Sequence, residues 1–147
     1  MRKALIYVLS VVMLCSLLTV GFVSASDSGS EYEQTVIEAN DTRVTRQAPA
    51  NWVESGTALA ASTNSDLDKW PIYVELAFEG VGIAVDFTSD DSRPNVEIYV
   101  DDTLIDTVNT ATTSHFEKLD LTDGPHKIKV NLIWEGAAKW AQINSFT

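Results

Sequence analysis

At 147 residues the chain has the length of one small protein rather than of several domains. Its 21 acidic side chains outnumber 10 basic ones, for a formal charge of −11, and this excludes nucleic acid as a partner. Part of the 45% apolar content belongs to the first 25 residues, and the stability of the remainder must come from packing. The single cysteine, Cys15, has no partner for a disulfide.

Arg2 and Lys3 precede an apolar run from Ala4 to Phe22 that closes on Val23, Ser24 and Ala25, the pattern of a secretory leader over residues 1–25. Left uncleaved, the same run would serve as a membrane anchor, the one membrane contact the sequence provides. Both versions place the remainder outside the cytoplasm, so the expected location is extracellular, secreted or on the cell surface. Leu14 before Cys15 argues against a lipid-bearing cysteine. Without Arg2 and Lys3 the remainder is still more acidic. Residues 26–34 (SDSGSEYEQ) have the composition of a flexible acidic linker, and the folded domain is expected over 35–147.

From there the pattern is strand after strand, with no stretch holding apolar residues at helical spacing for three turns. Thr35 to Ile37, Arg43 to Thr45, Trp52 to Glu54 and Ala58 to Ser62 are short strands. Ile72, Val74, Leu76 and Phe78 alternate with Tyr73, Glu75, Ala77 and Glu79, a strand with one face buried. Val81, Ile83, Val85 and Phe87 continue the alternation after Gly80, and TSDDSRPN then supplies turn residues. Val96, Ile98 and Val100 form the next inward set. Asp101 and Asp102 fit a tight hairpin leading into Leu104 to Val108. Phe116 to Leu121, His126 to Trp134 and Trp140 to Phe146 complete the series. This many short strands predicts an all-β, antiparallel jelly-roll sandwich.

In order, IEANDT (Ile37 to Thr42), Trp52, FEGVGIAV (Phe78 to Val85), VEIYVDD (Val96 to Asp102), LTDGPHKIKV (Leu121 to Val130) and a closing INSF follow a recurrent pattern. The series resembles the galactose-binding-like β-sandwich modules, similar to carbohydrate-binding modules, found beside extracellular hydrolases and on microbial surfaces. The resemblance covers about Ile37 to Phe146. It implies a jelly-roll fold and weak binding of glycan. Asp102, Lys127 and Asn144 depart from that pattern, where Gly, Thr and Asp are usual; the last removes a carboxylate from a cation site.

No G-x-S-x-G elbow accompanies the two histidines, His115 and His126, so serine hydrolysis lacks its nucleophile, and no catalytic residue is assigned. His126 shares the phase of Ile128 and Val130 and reads as a packed or turn-bonded histidine. No soft-ligand cluster for zinc exists, and no metal-binding residue is assigned. No cofactor is expected; a structural calcium on the acidic turns at Asp90 and Asp91, Asp101 and Asp102, or Asp120 and Asp123 is left open. Asn40, Asp41 and Thr42 form an N-x-T sequon that also reads as a turn.

Aromatic side chains are the remaining chemical signal, because a sugar's C–H face stacks on an indole or phenol while polar neighbours bind its hydroxyls. Trp52 and Trp134 read as packing residues. Trp70, before Pro71 in a polar loop, and Trp140, just past a Glu135 and Gly136 turn, read as ligand contacts. Tyr73 and Tyr99 lie on the outward phase of their strands and together would make a platform. Arg93 can bond hydroxyls or pair with Asp90 or Asp91.

The first functional reading is therefore an exported, non-catalytic module that binds glycan or cell-surface polysaccharide. The alternative is a structural or adhesive cell-surface subunit acting through protein contacts and self-association, with Gln34 to Ile37 donated to a neighbour as a strand. An accessory domain of a larger enzyme is not expected, because the last strand runs almost to Thr147.

Overall fold

The computed structural model describes residues 33–67 and 69–147. The expected leader, and the linker up to residue 32, lie outside the described residues. Glu33 and Gln34 are exposed and belong to no strand. Among the described residues no helix is long and apolar enough to cross a membrane.

Eleven strands build two antiparallel sheets from the described residues. One sheet has the order β3 (Trp52–Ser55), β4 (Ala58–Ser62), β11 (Trp140–Phe146), β6 (Ile83–Phe87), β9 (His115–Lys118), and β1 (Ile37–Glu38) also pairs with β11. The other has the order β2 (Thr45–Arg46), β5 (Tyr73–Gly80), β10 (Gly124–Leu132), β7 (Asn95–Val100), β8 (Thr103–Asn109). They are called the β11 sheet and the β10 sheet below. Each expected strand is present, and β4 and β11 span the expected residues.

The period-2 pattern decides what goes inside. Val74 and Leu76 on β5, Val96 and Ile98 on β7, and Ile128 and Val130 on β10 are buried, facing Leu59, Val85, Ile143 and Phe146 of the β11 sheet. Full burial of side chains this size stabilises the fold by about 1.5–3 kcal/mol each. At the open side, Arg46 on β2 reaches Glu54 on β3 at 3.0 Å and ties one sheet to the other.

Strand boundaries differ where side chains capture the backbone. Asp41 accepts the Arg43 N–H (2.9 Å) and its guanidinium, so this stretch is a turn, and β2 begins at Thr45 rather than Arg43. Those bonds hold the Asp41 carboxyl at about 2. Likewise β1 starts at Ile37 instead of Thr35. β9 stops at Lys118, short of Leu121, as the chain turns at Asp120 with φ 63°. β10 ends at Leu132, yet Trp134 just beyond still packs, half-buried, on the core. Asp101 (φ 49°) and Asp102 (φ 62°) are both left-handed, which gives β7 and β8 their two-residue hairpin.

The ladder registers sort the loops into two groups. Trp140 is opposite Ser62, Leu132 opposite Val96, and Asn95 opposite Asn109. The connections after β2, β4, β6, β8 and β10 therefore gather at one end, called the loop end. The tight turns after β3, β5 and β7 lie at the other.

Candidate functional site

Trp70, Arg93 and Trp140 all lie at the loop end. Trp140 opens β11 with its indole on the outer face, because the next residue, Ala141, is buried; it is 51% exposed. Its position is fixed from both sides. Arg93 Nη1 donates to the Trp140 carbonyl at 2.9 Å, while Lys139 N–H donates to the Thr63 hydroxyl at 2.9 Å and Thr63 is buried. Arg93 also pairs with Asp90 through Nε at 2.6 Å, the pairing expected of it, and its side chain is only 14% exposed. Bonds from the Ser92 hydroxyl and amide, with Arg93 beside them, lower the Asp90 carboxyl below the usual range. Arg93 thus supports Trp140 rather than facing solvent.

Trp70 is 72% exposed. The Lys69 and Trp70 amides both donate to the Asp66 carbonyl (2.9 and 2.7 Å), and buried Leu67 anchors the loop that lifts the indole into water. Trp70 shares the loop end with Trp140, but among the described residues its indole bonds to neither Trp140 nor Arg93.

Beyond Trp140 the outer face of the β11 sheet is polar and interlinked. Gln142 Nε2 and the Thr88 hydroxyl both donate to Asn144 Oδ1, at 3.3 and 3.1 Å. The Ser145 hydroxyl donates to Asp86 Oδ2 at 3.2 Å, and His115 Nδ1 lies 2.7 Å from Asp86 Oδ1. An irregularity in the β11–β6 ladder between Ile143 and Ser145 turns both Asn144 and Ser145 into this row. Next to it, Ala60 and Ser62 of β4 pair with Gln142 and Trp140, so small side chains form a low floor beside the indole. Sequence reasoning missed this face. The outward phase of Gln142 and Asn144 was available from β11 alone, but the neighbours on β4, β6 and β9 depend on strand order.

Tyr73 and Tyr99 do share a face, the outer side of the β10 sheet, but not as an open platform. Lys129 on the intervening strand sits 4.2 Å from the Tyr99 ring centroid and 5.6 Å from that of Tyr73. Its ammonium occupies the π-face that a sugar would stack on. Tyr99 donates its hydroxyl to Glu97 Oε2 (2.8 Å), which also accepts Asn131 Nδ2 (3.0 Å). That bond, together with burial, raises the Tyr99 phenol above its ordinary range.

The histidines have other duties. His126 Nδ1 faces Asp101 Oδ2 and Nε2 faces the Thr122 carbonyl, each at 2.7 Å, so the ring is turn-bonded as expected. In the row Ser145, Asp86, His115 the carboxylate lies between the hydroxyl and the imidazole. A serine nucleophile needs the imidazole in the middle, so this order does not form a triad. Asn40 Nδ2 donates to the Gly56 carbonyl at 3.3 Å, which supports the turn reading of the sequon. The acidic turns left open to calcium are split between the two ends of the sandwich, and Asp90, Asp101 and Asp102 face Arg93, His126 and Lys127 respectively. Among the described residues no three acidic, histidine or cysteine side chains converge as a metal site.

No protein-family model and no curated protein matches the chain. Solved structures do. A family two carbohydrate esterase from Cellvibrio japonicus superposes with a TM-score of 0.62 at 9% identity, over 76% of this chain and 32% of its own. A salicylyl-acyltransferase from a tetracycline biosynthetic pathway gives 0.55 at 11% identity, over 78% of this chain and 39% of its own. The chain therefore spans less than half the length of either. The CBM35 module from Paenibacillus barcinonensis is covered over 97% of its length, at 14% identity and a TM-score of 0.49, with 78% of this chain matched. What the chain shares with the esterase and the acyltransferase is the fold alone, an antiparallel sandwich of two β-sheets.

Proposed function

We propose that the chain is an exported, non-catalytic module that binds glycan at its loop end, with Trp140 as the principal contact and Trp70 as a second. The observation that carries this reading is a half-exposed indole on a rigid strand, fixed through its backbone by Arg93 and Thr63. A flat apolar face held in water at little further entropic cost is what stacking on a pyranose ring needs. The arrangement of both histidines supports a binding role over a catalytic one. The Tyr73 and Tyr99 pair is not part of the proposed site, since Lys129 covers it.

The strand-donation alternative gains less support. Ile37 pairs with Phe146 and Glu38 with Ser145 of the same chain, and donation would first have to break that ladder.

The test is retention of the purified protein on insoluble polysaccharides and on a glycan array. Trp140→Ala is expected to abolish retention and Trp70→Ala to weaken it, with circular dichroism unchanged. Retention equal to wild type in both variants would remove the proposed site.

A further inference from the structure

We infer that the outer face of the β11 sheet is an extended subsite for a neutral, hydroxyl-rich oligosaccharide, laid from Trp140 past Gln142 and Asn144 towards His115. The inference rests on the glycan reading above and specifies its ligand: a neutral chain of several units, not a single sugar.

Three observations carry it. First, the hydrogen bonds along the row leave outward groups unspent. Asn144 Oδ1 accepts from both Gln142 and Thr88, so among the described residues the Asn144 side-chain N–H groups and the Gln142 side-chain oxygen Oε1 have no protein partner. Among the described residues no buried side-chain nitrogen or oxygen lacks a partner, so these spare groups reach solvent. At the far end Asp86 holds His115 by Nδ1, which leaves Nε2 facing out from a side chain more than half exposed. A hydroxyl both donates and accepts, and this mixture of amide donor, amide acceptor and imidazole nitrogen matches it.

Second, the row has length. From Trp140 to Asn144 the strand rises about 13 Å, and His115 is two strand spacings of about 4.8 Å away across β6. Third, the floor is low where it adjoins the indole, since Ala60 and Ser62 stand at outward positions of β4.

Charge disfavours an anionic ligand. Asp86 lies in the row with its side chain 41% exposed, one oxygen accepting from Ser145 and the other facing His115. An anionic chain would meet Asp86 and the neighbouring Glu117 in a strongly acidic protein.

The experiment is a calorimetric affinity series on the full chain, using neutral β-1,4-linked oligosaccharides of two, four and six hexose units and a uronic-acid tetramer. Affinity is expected to rise tenfold or more from two units to four. Gln142→Ala and His115→Ala should each cost more affinity for the tetramer than for the dimer. Ser62→Tyr, which fills the floor without removing a polar partner in the row, should block the tetramer, with thermal melting used to verify folding. If Trp140→Ala loses binding but affinity is independent of chain length and of Gln142, His115 and Ser62, the extended subsite is wrong and the loop-end site stands. Preference for the uronic-acid tetramer also overturns the inference. No binding of any saccharide overturns both readings.

Discussion

Both ring nitrogens of His126 face oxygen acceptors, and an imidazole can donate from both only as the cation. The Thr122 carbonyl and then the Asp101 carboxylate raise its pKa above 6.5, and the same His126 contact, with the Lys127 amide, lowers that of Asp101 below 3.8. The signs differ. His126 contributes stability that is fully present below pH 6.5 and is lost as pH rises through its raised value. Asp101 contributes stability that is present above pH 3.8 and is lost as pH falls through its depressed value. The urea midpoint is therefore expected to be highest between these limits and to decline as pH rises through the raised His126 value. His126→Gln should flatten the alkaline side of that profile; an unaltered slope would show that the ring is not the titrating group. Arg93 acts at the same scale, through Trp140 rather than on ligand. Arg93→Lys keeps the charge but loses the fork that reaches both Asp90 and the Trp140 carbonyl. Weaker glycan retention than wild type is expected from Arg93→Lys, and intermediate retention relative to Trp140→Ala, measured in the same pull-down.

Between β5 and β6 the chain passes under the loop that follows β9. A Cβ on Gly82 would lie 2.8 Å from Leu119 Cδ2 and 3.1 Å from the Lys118 carbonyl, so this glycine permits a close approach. Gly82→Ala should destabilise the domain by about 1 kcal/mol, read as a lower urea midpoint, because the exposed Leu119 side chain can swing aside while the Lys118 carbonyl must shift. Strands with clean alternation, β5, β7, β10 and β11, were legible from sequence because burial on one face imposes period two. The two-residue strands β1 and β2 carry too little pattern for their limits to be read, and the capture of Arg43 by Asp41 is a side-chain event that alternation does not report. The site divides the same way. Exposure of Trp70 and Trp140 followed from their polar surroundings. The covering of Tyr99 by Lys129 depended on β10 lying between β5 and β7, which no local pattern encodes.

Across the whole sandwich the outermost strands are short or interrupted. β2 has two residues, and β3 and β9 have four each. β8 is longer, but its register shifts between the pairs Ile98 with Asp106 and Tyr99 with Leu104, and Asp106 puts a carboxylate opposite a buried isoleucine. Such features discourage edge-to-edge pairing. Light scattering is expected to give a monomer, and Asp106→Val to raise the apparent mass or promote aggregation; an unchanged monomer would mean that Asp106 does not guard this edge. One ladder has a further consequence. Ile37 enters and Phe146 leaves as direct partners, about 5 Å apart, at the end away from Trp140. A domain whose ends meet so closely can be spliced into a surface loop of an unrelated host without prising that loop apart. The sandwich is thus suited to use as a portable cassette, joined to its host at one pole and displaying its indole at the other.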